Sequence, residues 1–428
     1  MITEIRLRDF KSFEDATLRL GPFTVLVGAN ASGKSNIRDA FRFLHGIGRG
    51  YSVAEIIGGK YGAGGELAWE PLRGGANEII RFGANRFLLD VGFSLGGASN
   101  KPALLGLNHY RIGITRSIIE KGSFQVCDEA LKINNIQAYQ VLSAGKELEG
   151  LPQLRLQLSK NNQNELFDHN ISLPATHPMA SQIASLPSID REHHLPAQGL
   201  LTILGSMRFL DFIPEQMRRA AFPGQAIIGD SGENLPMVLS DICDDPNLKS
   251  TLIDWIQELT PMDVVDFEFP RDPTSGLIQL ILKERSGHRV SAYSASDGTL
   301  RFLTLLAALL SKRPARLYFF EDIEAGIHPS RLRLLIELIE TQTANNNIQV
   351  ITTTHSPYLL EVMSEATFNN ASVIYRARND DHSIIRPISE LPNVPALRAQ
   401  QGLGPLHSSG WMEDALFFAD EHDQAIAK

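Results

Sequence analysis

The stretch Gly28-Ala29-Asn30-Ala31-Ser32-Gly33-Lys34-Ser35 constrains this chain more than any other. It fits G-x-x-x-x-G-K-[ST], in which glycines let the backbone curl until its N–H groups and the next helix N-terminus converge on one point. Phe23-Thr24-Val25-Leu26-Val27, just before it, is a short apolar run that predicts a buried strand. Ile37, Ala40, Phe41 and Leu44, just after it, recur at helical spacing and predict a helix over 34–45. Strand, glycine loop and helix in that order form the context in which such a loop cradles phosphate groups. Lys34 is then placed for the outer phosphates and Ser35 for Mg²⁺.

Composition narrows the class around that loop. The chain has 428 residues, 40 Lys plus Arg against 49 Asp plus Glu, a formal net charge of −9, 43% hydrophobic residues and 2 Cys. Those fractions exclude disordered, collagen-like and disulfide-scaffold chains. The longest uncharged apolar run, 302–310, falls short of the about 18–20 residues that span a bilayer. The opening Met1-Ile2-Thr3-Glu4-Ile5-Arg6 lacks the layout of a signal peptide, so a soluble, cytoplasmic protein without a membrane partner is expected. Cys127 and Cys243 lack CxxC spacing and are expected as reduced thiols without zinc. The acidity argues against coating nucleic acid by bulk charge and leaves room for a local basic face.

Along the chain, strands are expected at 2–7, 16–20 and 23–27, and a β-rich stretch at 87–95, 109–115, 124–133 and 154–158. Residues 161–194 are polar and Pro-punctuated, and 195–259 is helical in pattern, broken at Pro214, Pro223, Pro236 and Pro246. A strand pair is expected at 264–269 and 277–284. The last third alternates helix 298–312, strand 317–320, helix 330–343 and strand 348–353, the rhythm of a parallel α/β sheet, with a closing helix over 412–426.

Three further motifs carry chemistry. Leu317-Tyr318-Phe319-Phe320-Glu321-Asp322 is an apolar strand ending in two acids, of the Walker B kind. Glu321 would hold Mg²⁺, and Asp322 would orient or deprotonate an attacking water. Ser294-Ala295-Ser296-Asp297-Gly298-Thr299 precedes an amphipathic helix and offers a hydroxyl, free N–H groups and a positive dipole end to an anion. Ile351-Thr352-Thr353-Thr354-His355 ends an apolar strand with a histidine able to donate to a γ-phosphate oxygen.

In this order the four motifs resemble the ABC-type ATPase heads of the SMC, RecF and OLD group. The opening Leu7-Arg8-Asp9-Phe10-Lys11-Ser12-Phe13, Asn36 after Ser35, Glu324 and the Gly326-Ile327-His328-Pro329 turn are similar to the same heads. The resemblance covers about residues 1–90 and 285–380. It implies an α/β, P-loop ATPase head split by a β-rich and then helical insertion: 1–90 and 285–380 as the two parts of the head, 91–284 as the insertion, and 381–428 as a tail. It implies ATP and Mg²⁺ as ligands, with Gly28, Asn30, Ser32, Gly33, Lys34, Ser35 and Asn36 around the nucleotide, Ser35 and Glu321 on the metal, and Lys34, Glu321, Asp322 and His355 in catalysis. In such heads two copies face each other, so Ser296 and Gly298 of one would complete the site of the other, and the chain would form at least a homodimer. Asp322 stands where the group generally carries Glu, one methylene longer.

A transport subunit is disfavoured because roughly 260 residues separate the phosphate loop from Ser296. A long-armed SMC protein is disfavoured because the insertion lacks heptads, and a Toprim nuclease because no clustered Glu and Asp-x-Asp follow His355. The resulting expectation is an ATPase subunit that senses or acts on DNA, in prokaryotic anti-phage defence, with a nuclease or toxin on a separate chain. A RecF-like repair ATPase and a weakly hydrolytic assembly scaffold are the alternatives. Arg81, Arg86, Arg208, Arg218 and Arg219 are the basic groups to test on DNA, His177, His193 and His194 are read as loop histidines, and Trp411 as part of the tail.

Overall fold

The computed structural model describes residues 1–94, 107–117, 123–134, 136–148, 151–159, 166–187, 189, 191–225, 227–260, 262–346, 348–376, 382–408 and 415. Strand Phe23–Val27 lies inside a six-stranded sheet. In spatial order its members are Met207–Leu210, Leu317–Phe320, Gln349–Thr354, Phe23–Val27, Ala371–Arg376 and Ser383–Pro387; the first five run parallel and the last antiparallel. Residues pointing to opposite faces enter different cores. Leu26, Leu317, Phe319, Ile351 and Ile374 pack on one side with Ile37, Phe41 and Leu44. Val25, Val27, Tyr318, Phe320, Val350 and Val373 pack on the other with Leu303, Leu306, Leu335 and Ile339. A parallel sheet covered on both faces needs apolar residues at successive positions, which is why these strands read as runs and not as alternations.

A second sheet of eight antiparallel strands stands on the first. Its order is Leu166–Pro174, Leu151–Ser159, Ile136–Leu148, Phe124–Ile133, Leu107–Arg116, Arg86–Phe93, Ile2–Phe10 and Phe13–Arg19. Gln349 joins the two sheets: its Nε2 donates to the carbonyls of Ile2 at 2.7 Å and Gly21 at 2.9 Å, and its Oε1 accepts from the Ile2 N–H at 3.1 Å. Phe87 fixes the first hairpin from behind, edge-on to Phe10 at 5.2 Å and to Phe43 at 5.3 Å.

The expected boundaries at 90 and 284 need correction against this topology. The first cuts the strand Arg86–Phe93, which pairs directly with Ile2–Phe10, and the second cuts the hairpin of Ile281–Glu284 with Arg289–Ser291. The stretch expected as an insertion also supplies Met207–Leu210, the edge strand of the parallel sheet. Strands Ile136–Leu148 and Leu166–Pro174 were not expected; Gly145, Asp168, His169 and Asn170 weaken their pattern, and pairing on Leu151–Ser159 supplies the ladder instead. Pro214, Pro236 and Pro246 begin helices Pro214–Met217, Leu235–Cys243 and Pro246–Leu259, where a missing N–H costs nothing. His193 and His194 fall within helix Arg191–Gly205 and not in a loop. Of the closing helix expected over 412–426, only residue 415 is described, and Trp411 lies outside the described residues. Among the described residues no helix is long and apolar enough to cross a membrane.

Glu129 sits fully buried between the antiparallel sheet and helix Met179–Ile183. Its carboxylate accepts from Tyr139 Oη at 2.9 Å, Tyr110 Oη at 3.0 Å and the N–H groups of Met179 at 2.5 Å and Ala180 at 2.8 Å. Burial disfavours the charged form more than these four donors favour it, and the pKa is pushed up from 4.5 to about 7. An acid that binds its proton more tightly when folded contributes stability below pH 4.5 that is lost as pH rises through about 7. We therefore expect the denaturation midpoint to fall between pH 5 and pH 8, and the Glu129→Gln protein, measured in parallel, to show a flatter pH dependence over that interval.

Candidate functional site

The buried strand Phe23–Val27 runs directly into Gly28, where any Cβ would collide with the Ile374 carbonyl oxygen on the neighbouring strand. The turn crests through Ala29, Asn30 and Ala31, all exposed, with Ala31 at φ 63°, and drops into Gly33 at φ 116°. Only glycine accepts that last angle without strain. Helix Lys34–Gly48 starts there, fifteen residues long. The N–H groups of Gly33, Lys34 and Ser35 have no acceptor among the described residues, whereas those of Asn36 and Ile37 turn back to Gly33 O. Ser32 Oγ is buried without a partner. Open N–H groups, a positive helix end and an orphaned hydroxyl in one glycine cradle fit a phosphate chain.

Lys34 bends over this cradle, its Nζ donating to Gly28 O at 2.5 Å and Ala29 O at 2.9 Å. Burial lowers its pKa, opposed by the charges of Asp322 and Glu321, which places the ammonium in the field of both acids. The loop is braced from outside: Ser383 Oγ donates to Ser32 O at 2.7 Å and lies 2.8 Å from Ser12 Oγ, to which Asn36 Nδ2 also donates at 2.8 Å. Beneath it, Lys11 pairs with Asp39 at 2.5 Å and donates to Arg73 O at 2.6 Å, both side chains of the pair being almost wholly buried. Arg73 in turn lies 3.3 Å from Asp39 and donates to the Ser35 carbonyl. Removing either partner of such a buried pair costs about 3–5 kcal/mol, a large share of the about 5–15 kcal/mol that holds a typical domain.

The two acids emerge at the carboxyl end of Leu317–Phe320, beside the strand that ends at Thr354. Asp322 takes the left-handed region at φ 46°, held by its own N–H to Thr353 Oγ1 at 3.2 Å. Its Oδ1 faces His355 Nδ1 at 3.2 Å, so the two expected catalytic residues meet. Thr354 donates to the Glu324 carboxylate, whose pKa is raised by burial and whose second oxygen has no partner. Glu321 lies 3.8 Å from Arg38 Nε, and Arg38 pairs with Asp211. Arg38, Asp39, Asp211, Thr353 and Ser383 went unnoticed as site residues in the sequence. Of these only Thr353 lies inside a motif.

Ser296 and Gly298 are not brought to the phosphate loop of their own chain. Ser296 caps helix Asp297–Leu310, its Oγ accepting from Thr299 N–H at 3.2 Å. Gly298 lies against Gly326, which has φ 86°; a Cβ on Gly298 would come within 2.9 Å of the Gly326 carbonyl oxygen. The two glycines, Ser296, His328 and Ser330 line a cavity of about 520 Å³ whose walls include no residue from 28–36. Ser296 and Gly298 therefore line a cavity separate from the phosphate loop of their own chain. The basic candidates divide as well: Arg81 pairs with Asp9 at 3.0 Å and Arg218 with Asp297 at 2.5 Å, Arg208 is partly buried, and Arg86 and Arg219 are exposed.

Residues 23–100 and 113–361 match the family described as "AAA domain, putative AbiEii toxin, Type IV TA system". An ATP/GTP phosphatase of Helicobacter pylori is 21% identical over 401 residues, covering 90% of this chain and 94% of that protein. The chromosome partition protein Smc of Clostridium kluyveri is 30% identical over 137 residues, 31% of this chain and 10% of that one. Among solved structures, an SMC head bound to the C-winged helix domain of ScpA covers 90% of this chain and 97% of its own, at 15% identity and a TM-score of 0.49. The family match runs through the phosphate loop, the Glu321-Asp322 strand and His355, and the chain belongs to this AAA-domain family.

Proposed function

We propose that the protein is a cytoplasmic, Mg²⁺-dependent ATPase whose active unit is a pair of heads. The observation that carries this reading is the separation of Ser296 and Gly298 from the phosphate loop within one chain. Lys34 binds the outer phosphates with the N–H groups of 33–35, and Ser35 and Glu321 would hold Mg²⁺. The ion supplies charge neutralisation on the phosphates. Asp322, held by Thr353 and facing His355, orients the attacking water. Ser296 and Gly298 of a second copy close the site from the opposite side, which makes hydrolysis depend on association.

Further out, the family description supports a role in prokaryotic defence, and a nuclease or toxin on a separate chain is the partner this reading assigns to it. DNA is the signal this reading assigns to the assembly, and Arg86 and Arg219 are the exposed residues among the five arginines to test on it. The name of the Helicobacter relative makes GTP the comparison substrate. One observation favours slower chemistry: the second acid is the short Asp322, fixed in the left-handed region, so the pair of heads would act mainly as an ATP-dependent clamp.

Lys34→Ala should lower ATP turnover by on the order of 10²-fold or more, measured as phosphate release with and without DNA. Mixing Lys34→Ala with Ser296→Arg, each inactive alone, should return roughly a quarter of wild-type turnover, since random pairing leaves one intact site in half of the dimers. No recovery at any protein concentration would overturn the two-copy site. Asp322→Asn should keep ATP binding by titration calorimetry while slowing turnover; unchanged turnover would remove Asp322 from the chemistry.

A further inference from the structure

Met207–Leu210 and the segment after it touch both halves of the nucleotide machinery. The strand pairs in parallel with Leu317–Phe320, with Leu210 opposite Phe320, the residue before Glu321. Asp211, next in the chain, takes the guanidinium of Arg38, which is one-tenth exposed and whose Nε stands 3.8 Å from Glu321. Helix Pro214–Met217 follows, with Pro214 and Met217 buried. Arg218 then reaches the signature from the side: its Nη2 donates to Asp297 Oδ1 at 2.5 Å and to Ala295 O at 3.2 Å, so that it spans Ser296. Both flanks of the segment are pinned, by Asp211 N–H to Asp230 O at 2.8 Å and by reciprocal 2.9 Å bonds between Ala221 and Ile278.

We infer that Arg218 is a positioning residue for the signature, and that the strap 207–218 makes the signature of a chain answer to the Arg38–Glu321 side of the same chain. The inference rests on the two-copy reading above. There the phosphate loop and the signature of one chain serve different nucleotides, so a rigid strap between them couples the two sites of the pair. Stability alone does not account for the contact. Asp297 is 63% exposed and already suits the first turn of its helix without a partner, so it is Arg218, 19% exposed, whose place the contact explains. What Arg218 adds is a fixed direction for the loop on either side of Ser296.

Arg218→Gln should fold with a melting temperature close to wild type, bind ATP as wild type does, and turn over about tenfold more slowly or worse, while Arg218→Lys recovers most of the rate. The deciding experiment mixes Arg218→Gln with Lys34→Ala, alongside the control mixture of Ser296→Arg with Lys34→Ala. A signature defect acts on the partner's nucleotide, so both mixtures should regain activity. Wild-type turnover in Arg218→Gln, no recovery with Lys at 218, or recovery in the control alone would each overturn the role of Arg218 and leave the two-copy site standing. Recovery in neither mixture would overturn both.

Discussion

The approach of Gly28 to the Ile374 carbonyl is the constraint on which the site depends. It presses the start of the phosphate loop onto a neighbouring strand, so the loop cannot shift without the sheet. The helix that follows inherits its origin and direction from that point, and with them the place where its open N–H groups meet. Ser383, on the antiparallel edge strand, closes the brace from the outside through Ser32 and Ser12. Glycine at 28 and 33 is therefore demanded by two different limits, close packing at the first and a positive φ at the second.

Around that point, charge is arranged in pairs, each with at least one largely buried member, that link elements distant in sequence. Lys11 and Asp39 tie the first hairpin to the phosphate-loop helix, and Arg73 extends the link to the backbone of Ser35. Arg38 does the same toward Glu321 and Asp211. Each pair fixes an orientation, because a buried charge left without its partner is costly wherever it points. The result is a phosphate loop braced on several sides, with the helix that follows Ser296 packed on the same sheet and Arg218 reaching its first turn from the strap 207–218.

The parts of this arrangement legible in the sequence are the local ones. Phe23–Val27, the glycine loop, Leu317–Phe320 with its acids and the strand ending at His355 follow from short patterns, and the structure places all four at the carboxyl edge of one parallel sheet. Arg38 to Asp211 spans 173 residues, Ser383 to Ser32 351, and Arg218 to Asp297 79. No periodicity reports contacts at such separations. Strand Met207–Leu210 was hidden for a related reason: four residues amid helices carry too little pattern, and only Leu317–Phe320 makes them a strand. Strand Leu166–Pro174, with Asp168, His169 and Asn170 in it, shows the same override of local preference by pairing.

The central claim is that one nucleotide lies between two copies of this chain. A direct measurement uses a protein with Cys127 and Cys243 replaced by Ser, carrying Asn30→Cys in one copy and Ser296→Cys in the other, treated with a short thiol-bridging reagent. Crosslinked dimers that form with ATP and Mg²⁺, and not without nucleotide or in a Lys34→Ala background, are the result this account predicts. Crosslinking that ignores nucleotide, or its absence under every condition in which ATP binds, would contradict it.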